Sequence, residues 1–153
     1  MYSKLHAYTH RLIVQPTVRQ VCLLTAEGPD LGDAASSLAL QLNADGIGST
    51  TAIDFSDNDH IHSIVWAGQA RTRRYYLEAI EACGLNVEGD IHEGIKIIKP
   101  PFKGKPHGDP VRYVLKHAGK KRAALAERVV LSPRDDDEPW SWWRDFVRRY
   151  DCT

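Results

Sequence analysis

The sequence predicts an α+β fold, an antiparallel β-sheet with helices packed against it. β-prone and helix-periodic segments follow one another in the order β-β-α-β-β-α-β-α, which is neither a strict βαβ alternation nor an all-β pattern. Two β-prone segments, 50–55 and 60–66, are joined by the polar run Ser56-Asp57-Asn58-Asp59, as in a hairpin. At 153 residues, with 42% apolar and 26% charged residues, the chain suits one domain with its own core.

Residues 5–14, ending Leu12-Ile13-Val14, and residues 19–25 read as short strands separated by Pro16. Gly28-Pro29-Asp30 turns the chain. Asp33 then precedes Ala34, Ala35, Leu38, Ala39 and Leu42, whose spacing is helical, and Asp45-Gly46 ends that helix. After the hairpin a second helix runs from about Thr72 to Cys83. Its apolar face is Tyr76, Leu77, Ile80 and Cys83, and Gly84 is a natural stop. Ile91–Ile98 reads as a further strand, closed by Pro100-Pro101. The loop 102–108 leads to Asp109-Pro110, a cap followed by proline at the first helical position, and 111–128 are helical by composition. After Pro133 the acidic run Asp135–Glu138 reads as a linker, and Trp140–Tyr150 as a short amphipathic helix. The expected organisation is therefore a catalytic or binding domain over 1–132 and a C-terminal segment over 133–153.

Lys+Arg and Asp+Glu balance at 20 each, but they are segregated. No Lys or Arg lies between Arg19 and Arg71, where Glu27, Asp30, Asp33, Asp45, Asp54, Asp57 and Asp59 fall. From Lys99 to Arg122 the reverse holds, with Asp109 facing eight basic residues. Such a stripe neutralises phosphates even in a neutral chain. The three cysteines, Cys22, Cys83 and Cys152, form neither a zinc spacing nor a disulfide framework. No signal-peptide pattern opens the sequence, and no stretch approaches the ~20 apolar residues of a membrane helix. A reducing cytoplasm is the expected compartment.

Two short motifs carry chemistry. In His60-Ile61-His62 the two imidazoles of a strand project from one face and Ile61 from the other, so the pair can share a divalent ion while Ile61 anchors the strand. In Tyr113-Val114-Leu115-Lys116 the helical pattern buries Val111, Val114, Leu115 and Ala118, leaving Tyr113 and Lys116 together on another face. His92, His107 and His117 are isolated and read as surface or packing residues. Tyr76 belongs to an apolar face, while Arg73-Arg74 suggest contact with DNA. Trp140, Trp142 and Trp143 read as a packing tail or partner surface.

In combination these motifs resemble the rolling-circle replication initiators of small plasmids and single-stranded DNA viruses, of the superfamily marked by histidine-hydrophobic-histidine. The family shows three motifs in order: a strand ending near threonine, the histidine pair, and Tyr-x-x-Lys on a helix. Here they are Val21-Cys-Leu-Leu-Thr25, His60-Ile-His62 and Tyr113-Val-Leu-Lys116, and the resemblance covers about residues 19–122. It implies a ferredoxin-like or RRM-like palm and a tyrosine endonuclease that nicks and rejoins single-stranded origin DNA. His60 and His62 would hold Mn²⁺ or Mg²⁺. Tyr113 would attack the scissile phosphate, leaving a 3′-hydroxyl and a 5′-phosphotyrosine, and Lys116 would stabilise the phenolate or hold the phosphate.

The third ligand is expected to be Asp54, because a three-residue tip at Asp57–Asp59 would set it opposite His62 on the same face. Glu27 and Asp59 are alternatives. Arg73, Arg74, Lys103, Lys105, Arg112, Lys120 and Lys121 are the expected DNA contacts. With no Gly-x-x-x-x-Gly-Lys motif in the sequence, unwinding would fall to a partner such as a host helicase. Two other readings are a transposase or relaxase of the same superfamily, and a non-enzymatic phage- or plasmid-borne inhibitor or nucleic-acid-binding protein.

Overall fold

The computed structural model describes residues 13–54, 60–98 and 129–132. At its centre is the strand β3, His60–Ala67. On one side it pairs antiparallel with β1, Gln20–Glu27, from Gln20↔Ala67 to Glu27↔His60. On the other it pairs antiparallel with β2, Gly48–Asp54, from Gly48↔Trp66 to Asp54↔His60. The free edge of β1 takes two short strands, β4 (Asn86–Val87) and β5 (Ile95–Ile98). The free edge of β2 takes β6, Val129–Ser132. Without β4 and β6 the order is β5-β1-β3-β2. Interleaved with two helices, this is the β-α-β-β-α-β arrangement of ferredoxin-like sheets.

The first of those helices is α1, Leu31–Ala44, and its periodicity is that of the sequence: Leu31, Ala34, Ala35, Leu38, Ala39 and Leu42 are all buried. It starts two residues before Asp33. Asp30 takes the left-handed conformation (φ 51°, ψ 49°) at the N-cap, which Asp tolerates better than most residues. Asp33 lies instead in the first turn, where its charge suits the helix dipole. The second helix, α2, spans Arg73–Ala82, and the Thr72 hydroxyl caps it by accepting from Tyr75 N at 3.1 Å. Tyr76, Ala79 and Ile80 are its buried face. Both helices cover the side of the sheet formed by Cys22, Leu24 and Ala26 of β1 and Ile61, Val65 and Ala67 of β3, and these residues make one apolar core. The other side of the same strands, with Val21, Leu23, Ile64 and Trp66, is buried too.

Three expectations need correction. Ile13 and Val14 do not close a strand; the chain turns after them, with Val18 N donating to Gln15 O at 3.0 Å. Pro16, which has no ladder donor, sits in that turn. Ile91–Ile98 is not one strand, because Ile91–Gly94 forms a single helical turn, α3, before β5 begins. The Asp90 carboxylate accepts from His92 N and Glu93 N at 2.7 and 3.0 Å, with Glu93 at the three-residue spacing of a capping box. Finally, the hairpin strands end at Asp54 and His60, which face each other. The register is therefore two residues from the one expected, with Asp54 opposite His60 and Ala52 opposite His62. A shift of two preserves the face. The elements expected over 5–12, 102–128 and 133–153 lie outside the described residues. Among the described residues no helix is long and apolar enough to cross a membrane.

Ile61 is fully buried between the two histidines, whereas Leu40 is 64% exposed. Ile61→Ala is expected to cost about 2–5 kcal/mol through the cavity it leaves, and Leu40→Ala within about 0.5 kcal/mol. Urea unfolding checks this. Equal effects would contradict the assignment of Ile61 to the core.

Candidate metal centre

His60 and His62 project from the β3 face opposite Ile61. His62 is almost fully buried (4% exposed), and the His60 side chain retains 12% exposure. Their rings meet edge to face, with centroids 4.6 Å apart. Nε2 of one lies 2.9 Å from Nε2 of the other. Neutral imidazoles reach this distance only if one Nε2 carries a proton and the other offers its lone pair. The separation also suits two ligands of a common ion. Imidazole nitrogens at the zinc–nitrogen distance of about 2.0–2.1 Å from one ion, at angles of about 90–109°, lie about 2.9–3.4 Å apart.

The other ring nitrogens are backed by oxygens. Thr25 of β1, directly across from His62, brings its hydroxyl to 3.2 Å from His62 Nδ1. Glu88, just after β4, donates its backbone N–H to Thr25 O at 3.1 Å and sets Oε2 3.9 Å from His60 Nδ1. That Oε2 is buried and accepts no hydrogen bond from the described residues. Outer-shell oxygens of this kind orient imidazole ligands and fix their tautomer. Two converging Nε2 atoms on a central strand can thus serve as two of the donors to a divalent cation, with a hydrogen-bonded hydroxyl behind His62 and a carboxylate 3.9 Å behind His60.

Two carboxylate residues flank the pair in register, Glu27 on β1 and Asp54 on β2, each opposite His60. Among the described residues no group of three or more ligating side chains forms. For Asp54 the register position alone is described, while Glu27 is exposed.

The remaining expected residues divide clearly. Arg73 donates from Nε to Ile95 O at 2.9 Å, tying α2 to β5. Arg74 is exposed and pairs with Glu78 one turn on, at 3.2 Å, so it is the freer of the two for a phosphate. Tyr113, Lys116, Lys103, Lys105, Arg112, Lys120 and Lys121 lie outside the described residues. Sequence reasoning missed Glu88, an acid in a polar turn with no periodicity to mark it.

Tyr75 and Tyr76, the two tyrosines among the described residues, belong to the opposite end of the sheet. The Tyr76 hydroxyl donates to Gln20 Oε1 at 2.8 Å, and Gln20 also accepts from Arg71 N and donates to Arg71 O. Gln20 faces Ala67, seven residues along β3 from His60, or about 23 Å at strand rise. Burial pushes the Tyr76 phenol well above its ordinary range. Burial, and then the hydrogen bond to Asp45, push Tyr75 up to about 12. Neither is placed or activated to react beside the histidines. Cys22, buried in the same region, is likewise pushed up to about 12 by burial.

No protein-family model, no curated protein and no solved structure matches the chain.

Cys22 and Tyr76 hold their protons in the folded state to higher pH than in the unfolded chain. Their contribution to stability is complete below the ordinary thiol value of 9.0 and lost as pH rises from there towards about 12. The urea midpoint is expected to fall over that window, more steeply than in Cys22→Ala. A wild-type midpoint unchanged up to pH 11 would contradict the burial of these groups.

Proposed function

We propose that the chain is a metal-dependent endonuclease that nicks and rejoins single-stranded DNA through a tyrosine. The observation that supports this best is the 2.9 Å convergence of His60 and His62 Nε2, with Thr25 and Glu88 oxygens behind the rings. A satisfied pair of core histidines would account for the mutual hydrogen bond. It gives no account of the Glu88 carboxylate set 3.9 Å from His60 Nδ1, a placement of the kind from which outer-shell oxygens support imidazole ligands.

His60 and His62 would hold Mn²⁺ or Mg²⁺, with Asp54 as third ligand at its position across from His60. The bound ion would supply Lewis-acid polarisation of a non-bridging oxygen of the scissile phosphate. The chain's own groups do the rest. Tyr113 attacks phosphorus in line, its oxygen forms the new P–O bond, and the departing 3′-oxygen takes up a proton. Lys116, three residues on in the sequence, favours the phenolate, which tyrosine reaches near pH 10 unaided. The linkage keeps the phosphodiester's energy, so attack by a 3′-hydroxyl reverses the step and reseals the strand. Lys103, Lys105, Arg112, Lys120 and Lys121, with Arg74, provide the charge that tracks the phosphate backbone.

Two measurements test this. His62→Ala is expected to weaken Mn²⁺ binding by about a hundredfold or more in calorimetry, since removing even an outer-shell group costs 10–100-fold. Undiminished binding would remove the metal site. With Mn²⁺ and single-stranded origin DNA, the wild type is expected to form an adduct that survives denaturing electrophoresis. Tyr113→Phe, which deletes only the oxygen, is expected to bind DNA and form none, and Lys116→Ala to form it more slowly. A normal adduct from Tyr113→Phe would show that another tyrosine reacts. No adduct from the wild type on its cognate origin would favour a non-enzymatic role.

A further inference from the structure

The metal reading leaves open what aims the less buried imidazole. We infer that Glu88 is a positioning residue that holds a proton on His60 Nδ1 and so presents the His60 Nε2 lone pair to the ion; this rests on His60 and His62 being metal ligands.

The turn around Glu88 is fastened on several sides. Glu88 N donates to Thr25 O, so the residue is tied to the strand position that also supports His62. Gly89 follows with φ +75°, a left-handed conformation that glycine adopts without penalty. Asp90 caps the short helix α3. Gly94 at the end of that helix lies so close that a Cβ there would sit 1.9 Å from Val87 Cγ1 and 2.9 Å from Glu88 O. Two glycines, a cap and a ladder-like hydrogen bond thus fix a backbone that carries one carboxylate to His60.

The contacts around the two imidazoles favour one proton pattern. A carboxylate accepts and does not donate, so Glu88 favours the His60 tautomer with hydrogen on Nδ1. His60 Nε2 is left bare and accepts from His62 Nε2–H across the 2.9 Å contact. His62 Nδ1 is in turn bare and accepts from the Thr25 hydroxyl. The two supports differ in kind. Glu88 enforces one tautomer, whereas the Thr25 hydroxyl can donate or accept, so His62 can move its proton from Nε2 to Nδ1 when a cation takes Nε2. At 3.9 Å Glu88 and His60 stand at ion-pair distance rather than hydrogen-bonded; this contact must tighten when the site is filled, as catalytic hydrogen bonds commonly do.

Long-range ¹H–¹⁵N NMR on the metal-free full chain reads the tautomers directly. In the wild type His60 is expected as Nδ1–H and His62 as Nε2–H. In Glu88→Ala the His60 signal is expected to move towards the Nε2–H form, and Mn²⁺ affinity to fall about 10–100-fold. Glu88→Gln, whose amide oxygen still accepts, is expected to keep the wild-type tautomer and recover most of the affinity. Amide dispersion in the same spectra checks that each variant is folded, and the near-isosteric Gln variant covers the case in which the Ala variant is not. An unchanged His60 tautomer together with Mn²⁺ affinity within twofold of wild type in Glu88→Ala would overturn the inference. A shifted tautomer in a protein whose wild type binds no Mn²⁺ would instead sink the metal reading, leaving the Glu88–His60 contact standing.

Discussion

A β-strand turns successive side chains to opposite faces, and in β3 this alternation sets both the core and the site. Ile61, Val65 and Ala67 face the helices; His60 and His62 face the other way, beside the β1 residues Glu27 and Thr25. A slip of one residue would carry Ile61 out of the core and both imidazoles into it. β1 and β2 hold the register along the full length of β3. Gly48 adds a lock, since a Cβ there would come within 2.3 Å of the Trp66 indole. The imidazole pair is thus held by the same packing that stabilises the domain. Burying Ile61 is worth about 1.5–3 kcal/mol, comparable with the cost of leaving a ring nitrogen of His62 without a partner.

The two ends of the sheet do different work. At the β3 C-terminal end, Gln20, Arg71 and Tyr76 join strand, loop and helix through hydrogen bonds in a buried setting. Burial holds the Tyr76 phenol, and the Cys22 thiol beside it, in the neutral form, while among the described residues Arg71 Nε is buried without a hydrogen-bond partner. At the His60 end the two imidazoles converge, with the Thr25 hydroxyl and the Glu88 carboxylate behind them and carboxylate residues on both neighbouring strands.

The sequence made the periodic parts legible. The apolar stripe of α1, the extent and stop of α2 and the strand carrying the histidines all follow from residue spacing, and the sheet assembles from them in the expected class. Parts set by short-range capping or by pairing between distant segments were not legible. Asp90 with Glu93 wins Ile91–Gly94 for a helical turn against their β propensity. The two-residue β4 and the four-residue β6 are too short to carry a pattern of their own. For Asp54 alternation gave the face, but the partner depended on loop length, and the strands end two residues further apart than the tip residues suggested. Glu88 is visible in three dimensions alone, because it reaches His60 through a turn rather than along a strand.

The central claim is that His60 and His62 together ligate a divalent ion. Pulsed electron paramagnetic resonance on the Mn²⁺-loaded full chain reads this most directly, through couplings of the electron spin to imidazole nitrogen. The account predicts two directly bound histidine nitrogens per Mn²⁺, reduced to one in His62→Ala if that variant is loaded at high metal concentration. A spectrum showing only water and carboxylate oxygens around Mn²⁺ would contradict it.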